Sequence, residues 1–232
     1  MIRELGLHGR RLILPAVLLV GIMVLLGWLL TDVLAQSWFA TTDADLNHEF
    51  VEERTNDLNT VSFLLSSLAA TPVIIGLTLV TAATARLVWK RWHESIYVVY
   101  AVVGEVLIFL ATTLLIDRQR PSVPQLDPAP PTSSFPSGHT AAAICFYGAA
   151  AAIIAWRTRT RWLRWTVIAL AVAIPLLVGI ARLYRGMHFP TDVTGGIVLG
   201  LAWFAVVTRL VLLAPIAVAS DIAGKAKETI SR

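Results

Sequence analysis

Charge is what this sequence has least of. Asp, Glu, Lys and Arg make up 15% of its 232 residues, where a soluble domain carries about a quarter. Hydrophobic residues make up 56% and the mean hydropathy is +0.71, which excludes a water-soluble globule and leaves an integral membrane protein. Cysteine is nearly absent. The single Cys145 rules out an intramolecular disulfide, and its place in an apolar run marks it as core packing. There is no repeat of fixed period and no low-complexity tract, so one bundle spanning 1–232 is expected rather than two domains. No carboxylate cluster has the look of a metal site, and His48 stands alone, so neither a metal nor another cofactor is expected. The net charge of +4 does not point to nucleic acid, because the basic residues sit beside apolar runs rather than along one polar face.

What is present is a series of apolar segments near the roughly 20 residues that a bilayer core requires. They run about Leu12 to Leu34, Val61 to Leu87, Ile96 to Ile116, Thr140 to Trp156, Trp165 to Ile180 and Val193 to Leu213. The expected fold is therefore all-α, a bundle of six transmembrane helices. The first segment follows Arg3, Arg10 and Arg11 and is too long for a signal-peptide core, so it reads as an anchor. Those arginines fall on the same side as Arg86, Lys90 and Arg91, then Arg157, Arg159, Arg161 and Arg164, and finally Lys225, Lys227 and Arg232. The positive-inside rule places both termini in the cytoplasm and the other loops outside. Trp28, Trp89, Trp92, Trp156, Trp162 and Trp165 lie near span ends, where interfacial anchors belong.

The first outer loop, Gln36 to Thr60, is mostly acidic and reads as a solvated connection or a short interfacial helix. Glu105 lies within the third span. An acid at that depth costs a few kcal/mol unless paired or neutral, so a functional role is one reading, and a structural hydrogen bond across helices to a Ser or Thr is the expected one.

Two stretches on the outer side concentrate chemistry. In Arg182-Leu-Tyr-Arg-Gly-Met-His188-Phe-Pro-Thr-Asp192, Arg182 offers a planar charged fork suited to phosphate oxygens. His188 offers an imidazole able to act as nucleophile or proton carrier. Asp192, four residues on, is placed to accept the proton on the other ring nitrogen. Pro190 starts the next helix. The plainer reading has Asp192 complementing the helix dipole and Arg182 snorkelling to the interface. The second stretch begins at Asp117-Arg-Gln-Arg120-Pro121 and ends at Pro136-Ser137-Gly138-His139. Pro121 favours extended backbone before it, so Arg118 and Arg120 are expected to face one anion together. Ser137 is an N-cap candidate, and Gly138 admits a ligand close to the free N–H groups of the helix start. Pro-Ser-Gly is equally an ordinary turn before a helix.

Taken together, Arg120-Pro121, Pro136-Ser137-Gly138-His139 and Arg182-x5-His188-x3-Asp192 resemble the three signature motifs of the type 2 phosphatidic acid phosphatase superfamily. The resemblance covers roughly the third span to the sixth. It implies that His188 is the nucleophile receiving the phosphoryl group, Asp192 its orienting carboxylate and His139 the general acid. It further implies that Arg120, Arg182, Ser137 and the Gly138 amide hold the phosphate, without a metal. In two places the chain departs from the pattern. Thr113 stands where the family has a Lys seven residues before the Arg, and Ala181 stands where a Ser precedes the third-motif Arg. Arg118 is the expected substitute for the missing cation, ahead of Arg185.

A phosphorylated membrane lipid, with undecaprenyl diphosphate, phosphatidic acid and phosphatidylglycerophosphate as candidates, is the expected substrate of a phosphatase at the outer face. A phosphotransferase using the same histidine, and a non-catalytic anion-binding or transport protein, are the competing readings. Nothing in the sequence speaks to oligomeric state.

Overall fold

The computed structural model describes residues 2–213, with side chains from Gly9 onward. Lys225, Lys227 and Arg232, and the Arg3 side chain, therefore lie outside the described residues. The helices run in order α1 (Ile2–Trp28), continued by a wider turn at Leu29–Val33, then α2 (Trp38–Glu52), α3 (Asn56–Ser67), α4 (Thr71–Trp89), α5 (His93–Leu115), α6 (Gly138–Arg157), α7 (Arg161–Tyr184) and α8 (Pro190–Val207). A second wider turn, Thr208–Leu212, extends α8. Six of these segments are long and apolar enough to cross a membrane: Gly9–Val33, Thr71–Trp89, His93–Leu115, Gly138–Arg157, Arg161–Tyr184 and Pro190–Leu212. The fold is the expected all-helical bundle.

The second span differs from its expected extent. The apolar run from Val61 does not form one helix. It breaks at Leu68–Ala70, where Ala70 turns extended and Pro72 occupies the first turn of α4. Proline has no N–H to lose there and its fixed φ suits a helix start. The 19 residues of α4 reach about 28 Å at 1.5 Å per residue, close to the hydrocarbon thickness of ~30 Å. The surplus becomes α3, which packs on α7 at the end of the bundle that carries the site. The acidic loop between Gln36 and Thr60 is largely helical: α2 packs on α7 and α8 and buries Asp43 and Asn47.

Helix α6 sits at the centre, packed by α5, α7 and α8. Lipid tails give no hydrophobic drive for one helix to prefer another, so close approach and interhelical polar bonds hold such bundles. The chain supplies both. Ala141, Ala143, Ala149 and Ala151 are buried along α6. A Cβ on Gly196 of α8 would fall 2.5 Å from the Ser137 carbonyl oxygen, so only glycine lets α8 meet the start of α6. Trp203 Nε1 donates to the Tyr100 carbonyl at 3.1 Å, and Tyr97 Oη lies 2.7 Å from Thr208 Oγ1. At the end opposite the site, fully buried Glu94 pairs with Arg91 at 2.7 Å and with Arg157. Glu105 does not meet the expected Ser or Thr. Its two carboxyl oxygens are buried with no hydrogen-bond partner among the described residues.

Candidate functional site

Four helix termini meet at one end of the bundle, the last turns of α5 and α7 and the first of α6 and α8, and the candidate residues lie there. Helix α5 delivers Arg118 and Arg120 just past its C-terminus, and α6 begins with Gly138 and His139. Helix α7 ends with Arg182 in its last turn, and α8 opens with Asp192 in its first. Gly186 makes the turn between α7 and α8 at φ +72°, a left-handed conformation that glycine adopts without steric cost. A Cβ there would also meet Val123 at 2.9 Å and the Pro124 carbonyl at 3.1 Å. The connection is thereby pressed against the loop between α5 and α6.

His188 is buried. Its Nδ1 lies 2.8 Å from the Ser134 carbonyl oxygen and 3.7 Å from Asp192 Oδ2. A carbonyl only accepts, so Nδ1 carries the proton and Nε2 keeps its lone pair free. The Ser134 backbone and Asp192 thus meet the same ring nitrogen. The backbone of Ser134 makes the short hydrogen bond, and Asp192 contributes its charge from just beyond hydrogen-bonding distance. Burial lowers the His188 pKa, opposed by Asp192 and reinforced by the charges of Arg182 and Arg120. The imidazole is therefore neutral at lower pH than an ordinary histidine.

Asp192 itself is wholly buried. Oδ2 accepts the Phe189 N–H at 2.8 Å, and Oδ1 accepts Arg118 Nη1 at 2.5 Å. It thus also serves as the helix-start acceptor that the plainer reading proposed. Arg118 departs from its expected place. It does not face an anion beside Arg120: Nη1 also donates to Thr191 Oγ1 at 2.7 Å, and Nη2 donates to Asp43 Oδ2 at 2.9 Å. Two buried carboxylates claim the guanidinium, and they outweigh the side preference of an extended stretch. Thr113 returns its hydroxyl to the Leu110 carbonyl at 3.0 Å within α5.

The other two arginines retain unused donors. Arg120 Nη1 donates to the Met187 carbonyl at 2.7 Å, and Arg182 Nη1 donates to Asp127 at 2.9 Å and Ser66 at 3.1 Å. The Nε of each is buried and has no partner among the described residues. Burial lowers the Arg120 pKa, with Asp192 opposing, yet a guanidinium stays charged at any physiological pH. His139 interacts electrostatically with Arg182, His188, Asp127 and Arg120, which places it inside the same cluster. Ser137 begins α6 as expected, but its side chain does not cap. Its Oγ lies 3.0 Å from Thr140 Oγ1, while its N–H donates to the Asp192 carbonyl at 2.9 Å. Pro136 and Ser137 are buried, and a Cβ on Gly138 would meet the Phe109 ring at 2.9 Å.

Three participants escaped the sequence. Asp43 sat in a run of acids that looked solvated, and its only signal was the helical spacing to Asn47 on one buried face. Asp127, in the Pro-rich connection, bridges Arg182 and Arg185, with Arg185 Nη2 at 2.6 Å and Nε at 2.7 Å. Burial alone would raise the Asp127 carboxyl. The hydrogen bond from Arg185 and the charges of both arginines outweigh it and hold the carboxyl below the usual range. Arg185 is engaged there and with Ser62, so it is not a loose phosphate ligand either. The Ser134 carbonyl is a backbone group, which no side-chain pattern can reveal.

Beside Arg120 opens a cavity of about 810 Å³. One wall is the C-terminal end of α5 with Leu110, Thr113 and Leu114, and the other is the loop with Gln125, Pro130 and Thr132. Leu114 and Leu115 are strongly exposed, so the apolar wall continues onto the outer surface of the bundle. No group of three or more His, Cys, Asp or Glu side chains converges among the described residues.

The arrangement has known counterparts. The PAP2 superfamily model matches residues 94–215. "Phosphatidylglycerophosphatase B" of Bacillus subtilis is 31% identical over 161 residues, covering 65% of this chain and 73% of that protein. The "Bacitracin transport permease protein BcrC" of Bacillus licheniformis is 30% identical over 146 residues, covering 62% of this chain and 67% of its own length. The crystal structure of a transmembrane PAP2-type phosphatidylglycerolphosphate phosphatase from Bacillus subtilis superposes with a TM-score of 0.74 at 27% identity. That match covers 84% of this chain and 94% of the other.

Proposed function

The chain belongs to the PAP2 superfamily as a membrane phosphatase, and from that premise we propose that it hydrolyses a phosphate or diphosphate ester of a membrane lipid at the outer face, through a phosphohistidine at His188. The observation that carries this reading is the pair of buried, unpartnered guanidinium N–H groups, Arg120 Nε and Arg182 Nε, both acting on His188 and His139. A phosphoryl group bearing negative oxygens satisfies both. Lipid access is supported by the cavity beside Arg120, one wall of which is apolar and continuous with the outer surface of the bundle. The outer placement rests on the basic residues gathered at the opposite end of the helices, among them Arg86, Arg91 and Arg157. Relatives' names favour phosphatidylglycerophosphate, with phosphatidic acid and undecaprenyl diphosphate as the other candidates.

In this mechanism Nε2 of His188 attacks phosphorus while the bond from phosphorus to the lipid oxygen breaks on the opposite side. His139 gives its proton to that oxygen. Arg120, Arg182 and the Gly138 N–H at the start of α6 neutralise the equatorial oxygens, the main demand of phosphoryl transfer. Water then attacks the phosphohistidine, His139 takes its proton, and inorganic phosphate leaves with His188 restored. The test is phosphate release by the purified protein from the three lipids assayed side by side. Wild-type protein is expected to turn over at least one of them, with His188→Ala inert and His139→Ala slowed by about a hundredfold or more. Near-normal release by folded His188→Ala would overturn the mechanism.

A further inference from the structure

The acidic outer helix reaches the catalytic centre at one point. Helix α2 buries two polar side chains, Asp43 and Asn47, and Asp43 makes every contact that leads inward. Its Oδ2 accepts Arg118 Nη2 at 2.9 Å and also the Thr191 hydroxyl, and its Oδ1 accepts the Thr191 N–H at 3.2 Å. Thr191 immediately precedes Asp192, and Arg118 joins the two carboxylates, one on each arm of its fork. We propose that Asp43 is a positioning residue for phosphoryl transfer, neutralising Arg118 and pinning Thr191 so that Asp192 presents its full charge to His188. The proposal rests on His188 being the nucleophile.

The physical reason lies in counting charges. Arg118 alone at 2.5 Å from Asp192 would cancel most of the negative field that Asp192 casts on the imidazole. With Asp43 on the other arm the cluster carries a net single negative charge, and that charge faces His188. The remaining charged groups about His188 are Arg120 and Asp127 on the α5–α6 loop, His139 on α6, Arg182 on α7 and Arg185 just past its end. Asp43 reaches His188 indirectly, through Arg118 and Thr191 and then Asp192. Anchoring α2 is a separate role, and buried ion pairs are weak evidence for stability. Loss of the anchor alone would lower the amount of folded enzyme and leave the chemistry of what remains unchanged.

Asp43→Asn keeps the size of the side chain and removes its charge. In purified, folded protein it is expected to lower kcat by roughly tenfold with KM changed less than about threefold. The acid limb of kcat/KM should move to lower pH, because a weaker negative field disfavours the imidazolium. Asp43→Glu, which restores the charge, should recover part of kcat and return the limb. Wild-type kcat and an unmoved limb in Asp43→Asn would overturn the proposal, as would a loss that Asp43→Glu leaves uncorrected. Should Asp43→Asn not fold, Thr191→Val removes the hydroxyl bridge and leaves both charges. It is expected to lower kcat with the limb in place, and unchanged kcat would overturn the pinning. His188→Ala, run in parallel, separates the two ideas. Activity there refutes the phosphohistidine itself, whereas an inert His188→Ala beside an unaffected Asp43→Asn refutes only the role of Asp43.

Discussion

Replacing Asp192 by Asn removes one charge and almost no volume, so it separates the carboxylate's electrostatic role from its shape. The tautomer of His188 does not depend on it, because Nδ1 is held by the Ser134 carbonyl at 2.8 Å. The loss should therefore fall well short of the ~10⁴ in kcat seen when a sole orienting carboxylate is removed from a triad. What disappears is attraction across 3.7 Å. At an effective dielectric of about 20, two full charges at that distance interact by about 4.5 kcal/mol. If the imidazole has gained half a positive charge at the transition state, the loss is about 2 kcal/mol, or roughly thirtyfold in kcat. Stability should fall by less than the ~3–5 kcal/mol typical of a broken buried pair, since Arg118 keeps Asp43. The assay is phosphate release at saturating lipid, with thermal unfolding of the same preparation measured alongside. A loss near 10⁴ would show that Ser134 does not hold the ring. A loss under threefold would reduce Asp192 to a helix cap.

Arg118→Ala and Thr113→Lys should prove additive in kcat/KM within about 0.5 kcal/mol, because Arg118 is bonded to Asp192 and Asp43. A coupling above that, with Lys rescuing Ala, would return Arg118 to the phosphate. The acid limb of the wild-type kcat/KM profile should lie below the ordinary histidine value of about 6.5. Burial lowers the His188 pKa, so the reactive neutral form persists as pH falls, and a limb above that value would contradict the assignment. Activity should survive exhaustive EDTA treatment and be inhibited by vanadate. Loss with EDTA that Mg²⁺ restores would refute the arginine-based cradle. In a Cys145→Ala background, Gln125→Cys should react with an impermeant thiol reagent outside intact cells and Arg159→Cys should not. The reverse pattern would invert the topology.

The spans were legible because hydropathy alone sets them, and the ends of α5 to α8 were legible because motif residues punctuate them. Composition could not show that the run from Val61 is broken, since Leu68, Ala69 and Ala70 are as apolar as their neighbours; Pro72 was the one local signal. In the site, the histidines and the arginine-rich stretches could be named because their chemistry is distinctive. Their partners could not. Asp43 lies about 150 positions from Asp192 along the chain, and only the packing of α2 on α7 and α8 brings it there. The reading of Arg118 failed for the same reason. Backbone geometry proposes a direction for a side chain, but a pair of distant carboxylates decides it.

Asp127 would give the proposed phosphate cradle the character of an ion exchanger. Its carboxylate already occupies one arm of Arg182 and two nitrogens of Arg185, so the resting site keeps its positive charge partly compensated. In the proposed mechanism an incoming phosphate would compete with this tethered anion for Arg182, which would weaken ground-state affinity. After turnover the same carboxylate would compete with inorganic phosphate. The loop that bears it is joined to the rest of the site by Arg54, which donates to the Pro124 and Tyr184 carbonyls at 2.7 and 2.9 Å. The counter-ion therefore has a fixed tether, and under the proposed mechanism product release would be an exchange of one anion for another rather than the exposure of bare guanidinium in a membrane protein.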